Sequence, residues 1–157
     1  MRYVKVDWDL ELRGFRTDAR DYLAVLPELK DALPSGAMAF ASDAGHYDYA
    51  SERCVKDLEL AEISLPTTTA GRSGTASLDF RPNQWKHSAG LRIEYADVSH
   101  FSVDYESSID WTAAITVLLD EVLPHEGGIV HEIELTDATI TVHCADLTAT
   151  WAEIQGT

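Results

Sequence analysis

The stretch Ile129-Val130-His131-Glu132-Ile133-Glu134-Leu135-Thr136-Asp137-Ala138-Thr139-Ile140-Thr141-Val142-His143-Cys144 decides the fold. Ile129, His131, Ile133 and Leu135 share one face, while Glu132 and Glu134 point to the other. Ile140, Val142 and Cys144 return on the apolar side. Strands carry side chains on alternate faces, so this pattern predicts two half-buried strands joined by a turn within Thr136–Thr139. With Asp137 and Ala138 as the tip, Leu135 faces Ile140, Ile133 faces Val142 and His131 faces Cys144. The same register sets Glu132 opposite His143 and Glu134 opposite Thr141 on the wet face. After Asp146 the apolar parity flips to Leu147, Ala149 and Trp151, which predicts a bulge near Ala145.

Upstream, Leu91, Ile93 and Tyr95, then Phe101 and Val103, keep odd parity across Asp97 and Ser99. That predicts either one long strand bent at a bulge or two strands with a tight link. Residues 111–123 carry both helical spacing and a β-branched run; the run Ile115–Leu118 tips the reading to strand. Leu78 and Phe80 alternate with Ser77 and Asp79, and Cys54–Leu65 reads as a strand ended by Pro66. Thr67–Thr75, rich in Thr, Ser and Gly, reads as a flexible loop. Near the start, Val4, Val6, Trp8, Leu10 and Leu12 alternate with charged residues, predicting one strand with a buried face. Thr17 or Asp18 then caps a helix through Tyr22 and Leu26. Ala37–Ala41 reads as a short buried strand, and Asp43–Ser51 as a loop. The fold class is mainly β (α+β), one domain over 1–157, with a largely antiparallel sheet in two layers or strongly curved. One or two short helices lie near the N-terminus.

Charge divides the chain in two. The formal net charge is −15, and every Lys and Arg falls at or before Arg92. Up to that point fourteen acidic residues face twelve basic ones, a net −2. From Ile93 onward thirteen acidic residues face none, a net −13. Nucleic-acid backbones and anionic membrane surfaces are bound through Lys and Arg, so both are disfavoured partners. A basic protein is the complementary one. No run approaches the ~18 apolar residues of a membrane span, and Asp7 sits where a signal peptide would be apolar. A cytoplasmic location is the expectation. Cys54 and Cys144 are too few for a disulfide framework and read as small buried hydrophobes.

Six histidines raise the question of a metal, but no His-Glu-x-x-His or comparable ligand spacing occurs. His131 beside Cys144 supplies the raw materials of a thiol nucleophile and its base, yet in an apolar row where both stay neutral. The loop Asp43–Asp48 with His46 lacks the ordered ligand repeat of a calcium loop. No metal and no cofactor is therefore assigned. Trp8, Tyr95, Phe101, Tyr105 and Trp151 read as core; Trp85 and Trp111 lie in less regular stretches.

The pattern Leu91-x-Ile93-x-Tyr95-x-Asp97-Val98-x-x-Phe101-x-Val103, with the hairpin around Cys144, resembles small β-rich bacterial immunity proteins. The resemblance covers the C-terminal half. It implies a cytosolic, acidic partner protein that neutralises a toxin by binding it, and it transfers no functional residue. The leading expectation is thus a non-enzymatic protein presenting a negative face to a basic protein, with Glu132, Glu134, Asp137 and His143 as part of that face. One alternative is a small-ligand binder or hydrolytic enzyme whose pocket gathers two or more of His46, His87, His100 and His131. The other is an accessory protein that homodimerises through a sheet edge.

Overall fold

The computed structural model describes residues 1–67, 74–105 and 108–153. In chain order the elements are β1 (Lys5–Asp9), β2 (Gly14–Asp18), α1 (Arg20–Leu29), α2 (Ser35–Ala41), β3 (Glu59–Ser64), β4 (Gly74–Arg81), β5 (Gly90–Val98), β6 (His100–Asp104), β7 (Val117–His125), β8 (Gly128–Leu135), β9 (Thr139–Cys144) and β10 (Asp146–Ala152). They form one mainly β assembly: a two-stranded ribbon β1-β2 and two four-stranded antiparallel sheets, ordered β10-β5-β4-β3 and β6-β9-β8-β7. The inner faces share one core. Leu78, Phe80, Leu91, Ile93, Tyr95 and Leu147 supply it from the first sheet. Val117, Val122, Ile129, Ile133, Leu135, Ile140 and Val142 supply it from the second.

The two sheets are stitched at a common corner. The chain passes from β5 to β6 at Ser99 and from β9 to β10 at Ala145, each time leaving one sheet for the other. Asp97 bends β5 with φ of 52°. Ser99 N–H donates to the His143 carbonyl at 2.9 Å, and Ala145 N–H to that of Ala96 at 2.9 Å. The tight link in 91–103 is therefore a change of sheet. The parity flip near Ala145 falls at the second change of sheet, whereas parity is kept across Ser99 because β5 carries a bulge at Ala96-Asp97 just before its corner.

The hairpin β8-β9 buries the expected faces in a different register. Ile133 pairs with Ile140, His131 with Val142 and Ile129 with Cys144, so Glu132 lies opposite Thr141 and Glu134 opposite Thr139. The tip is Thr136-Asp137, closed by Leu135 N–H on the Ala138 carbonyl at 2.8 Å. Ala138 is buried beside Leu135 and cannot be a solvent-facing tip residue. A slip of two leaves every side chain on its face because the pleat repeats every two residues.

Three further expectations are corrected. The first strand is only β1: the Asp9 carboxylate accepts the N–H groups of Glu11 (2.9 Å) and Leu12 (3.0 Å) and folds the chain back. Val6 still packs on the core, but among the described residues no layer covers Trp8, Leu10 and Leu12, which are exposed. Ala37–Ala41 lies in helix α2, whose first turn is held from afar by Asp146. That carboxylate accepts the N–H of Gly36 (3.1 Å) and Ala37 (2.8 Å), and Ala37, Phe40 and Ala41 bury one helical stripe. The strand within 54–65 is the shorter β3, preceded by a bend at Asp57 with φ of 74°. Of residues 111–123 only Val117–Leu123 is strand, within β7, while Trp111–Ile115 is turn and irregular chain and Thr116 makes a single bridge to Glu59. In α1 the cap position is Ala19, and Asp18 accepts the Arg20 N–H at 2.9 Å. Most of the Thr67–Thr75 loop lies outside the described residues; Gly74 and Thr75 belong to β4.

Candidate functional site

No residue of β6, β7, β8 or β9 is Lys or Arg. The segment beyond Arg92 therefore supplies one entire sheet. In the other sheet the cations are matched: Arg81 pairs with Glu59 (3.5 Å) and Arg92 with Asp79 (2.8 Å). The outer face of the cation-free sheet alternates with its buried residues. It carries His100, Ser102 and Asp104, then Thr139, Thr141 and His143, then Glu132 and Glu134. On β7 the same face is covered. Glu121 is buried there and accepts the N–H groups of Arg2 (2.5 Å), Tyr3 (2.7 Å) and Val4 (2.7 Å).

The four residues marked from sequence fall at three places on this face. Glu132 bonds the amino group of Met1. Glu134 accepts the Thr139 hydroxyl at 2.9 Å, and Asp137 is exposed in the turn. His143 lies at the opposite end, flanked by the rings of His125 (4.4 Å) and His100 (5.1 Å). Its partial burial, with His125 and His100 beside it, lowers its pKa below the ordinary imidazole value.

At the turn end, Glu134 and Asp137 join Asp104 in a cleft of about 300 Å³, also lined by Phe15, Tyr105 and the turn residues up to Thr139. Among the described residues none of these three carboxylates is paired with Lys or Arg. Two aromatic pairs flank the cleft: Trp8 meets Phe15 edge-on at 5.0 Å, and Trp111 meets Tyr105 edge-on at 6.0 Å. Their exposures are 52% (Trp8), 39% (Phe15), 54% (Tyr105) and 48% (Trp111). The expectation of a core role for Trp8 and Tyr105 is thereby corrected. Strand parity says which side a residue faces but not whether another layer covers that side, and among the described residues none covers these two rings. Phe15 carried no signal in the sequence beyond being apolar after Gly14.

A second constellation lies inside. Asp120, on the inner face of β7, receives His46 Nε2 on one oxygen at 2.7 Å and His131 Nε2 on the other at 2.9 Å. His46 Nδ1 donates to the Phe40 carbonyl (2.9 Å), and the Tyr95 hydroxyl meets His131 Nδ1 at 2.8 Å. With the Phe40 carbonyl accepting from Nδ1, one proton must lie between His46 Nε2 and Asp120. Burial pushes the Asp120 carboxyl up, but the charge on His46 and the bonds from both rings outweigh it and hold it well below the usual carboxylate range. Tyr47 donates to the Asp120 carbonyl (3.2 Å) and Tyr22 to that of Val122 (2.7 Å), closing the shell.

Two of the four histidines of the pocket reading thus converge, on a carboxylate that sequence spacing could not supply. They do so without a chamber: the void beside Asp120 and His131 is about 10 Å³. His46 also borders a cleft of about 160 Å³ between α2 and β10. His87 is elsewhere, bonded to the Cys54 carbonyl at 2.7 Å, and His100 is on the outer face. Nor do His131 and Cys144 pair. The thiol lies opposite Ile129, and burial, with the nearby Asp146 charge, pushes it up to about 12. Among the described residues no group of three His, Cys, Asp or Glu is placed to hold a metal ion, and no helix is long and apolar enough to cross a membrane. No family model, curated relative or solved structure matches the chain.

Proposed function

We propose that this chain is a non-enzymatic binding protein that presents its cation-free sheet to a basic protein partner, in an immunity-like or accessory role. The observation that carries the reading is spatial. The strands β6, β7, β8 and β9, all beyond Arg92, form a sheet that holds carboxylates and no Lys or Arg, and Asp104, Glu132 and Glu134 stand on its outer face. A face of one sign speeds encounter with an oppositely charged partner and selects against acidic ones. The buried histidine network argues against the enzymatic alternative, because a substrate would have to displace core side chains to reach Asp120.

The test is a titration of isotope-labelled protein with a decalysine peptide, followed amide by amide. Shifts are expected on β6, β8, β9 and the Thr136-Asp137 turn, weakening as salt rises. Glu132→Lys with Glu134→Lys should remove them, while Glu62→Lys with Glu94→Lys on the other sheet should not. Equal shifts on both sheets, or indifference to salt, would sink the reading.

A further inference from the structure

We infer that the cleft between Phe15 and Tyr105 receives an arginine side chain of the basic partner, its guanidinium set among Asp104, Glu134 and Asp137 and against the two aromatic rings. This site presupposes the charged face proposed above and names the group that the face takes. Exposed apolar surface on a folded chain is ordinary when scattered and significant when contiguous. Here four large aromatics stand in two edge-on pairs, and one member of each pair lines the same cleft. Between them lie three carboxylates without a Lys or Arg partner among the described residues.

The chemistry of that combination is specific. An aromatic ring presents a negative π face that attracts a cation within about 6 Å. Carboxylates attract the same cation and can accept its N–H groups in pairs. Arginine satisfies both demands at once, because its guanidinium is planar, stacks on rings and donates through a rigid fork. The lysine ammonium is a compact, strongly hydrated point charge that stacks poorly. An anionic or purely apolar ligand has no reason to enter, since the carboxylates would be left facing it uncompensated. The Tyr105 hydroxyl and the Thr139 side chain add polar rim without adding positive charge. Charge complementarity therefore commits the cleft to an arginine-bearing segment.

The probe is an acetylated, amidated Gly-Arg-Gly-Arg-Gly peptide, compared with its lysine and citrulline counterparts on the full chain. Citrulline keeps the shape of arginine and removes its charge. The arginine peptide is expected to shift the amides of Phe15, Tyr105 and residues 134–139 first. The citrulline peptide should bind roughly tenfold more weakly. Tyr105→Leu and Phe15→Leu keep apolar bulk but lose the π face, and each should weaken the arginine peptide by about threefold. Tyr105→Phe should restore it, which a merely structural role of the residue would not require. Because these positions are exposed, unchanged amide spectra elsewhere will certify the fold of each variant.

Equal affinity for the arginine and citrulline peptides would overturn the site, as would leucine variants that bind undiminished. If the shifts then still map to β6, β8 and β9, the charged face stands and only the cleft is lost. If the peptide shifts no part of that sheet, both are lost.

Discussion

At the scale of the residue, Asp120 concentrates the most consequence. It is a fully buried carboxylate held by two imidazoles, and removal of one member of such a group leaves the others without a partner. Asp120→Asn should destabilise the fold by about 3–5 kcal/mol, read from urea unfolding; a loss under about 1 kcal/mol would show that the pair contributes little. The pH dependence has a definite sign. The folded carboxyl titrates below its unfolded value of about 3.9, so its contribution is complete above that pH and fades as pH falls through it. Stability measured downward from pH 5 should therefore drop more steeply in the native protein than in Asp120→Asn. The thiols give an independent check. With Cys144 buried and pushed up to about 12, maleimide labelling at neutral pH should be slow in the folded protein and fast in urea. Rapid labelling of the folded protein would contradict the burial. Of the network, the sequence marked His46 and His131 and set His131 on the buried face, but it gave no sign of Asp120 as their meeting point. His46 sits 74 residues from Asp120 in the chain, within a stretch whose turn residues say loop and say nothing of where the loop is pressed.

At the scale of the element, the faces of β8 and β9 were legible because a period of two survives any slip by two; the register was not, because it depended on whether Ala138 turned outward. The strand β7 was legible through Ile115–Leu118, where branching at Cβ outweighs a weaker helical spacing. Helix α2 was hidden for a different reason. Its seven residues are too few to be stable alone, and its missing cap is supplied by Asp146, more than a hundred residues away. That docking demands glycine at position 36, where a Cβ would fall 1.9 Å from the Leu147 carbonyl oxygen. Gly36→Ala should consequently cost about 1–3 kcal/mol despite the better helix propensity of alanine. Thermal unfolding will decide, and an unchanged or higher midpoint would mean that α2 docks some other way.

Taken whole, the molecule keeps Lys and Arg out of one sheet while placing carboxylates on both, and the sequence carried the first half of this as the boundary at Arg92. The hidden part was which carboxylates remain outside: Asp120 and Glu121 are consumed within the fold, whereas Asp104, Glu134 and Asp137 gather at one end. The far end holds His100, His125 and His143, on the same face as Glu132 and Glu134. Because the fold holds His143 below its ordinary value, the unfolded chain binds its proton first. That stabilising contribution is present above about pH 6.5 and is lost as pH falls below it. His143→Gln should flatten the stability profile between pH 7 and 5. Protonation would also set positive charge on the negative sheet, so binding of the decalysine peptide should weaken over the same interval. A profile identical in both proteins would remove His143 from the account.

The corner at Ser99 and Ala145 carries one more implication. Strands β5 and β10 are neighbours in their sheet, and everything between them leaves and re-enters at a single point. The whole cation-free sheet is, in effect, an excursion spliced into the loop of a hairpin. Its outer surface can accumulate substitutions without disturbing a single rung of the ladder that joins β3, β4, β5 and β10. A lineage could retarget such a protein by rewriting one cassette while inheriting the scaffold unchanged.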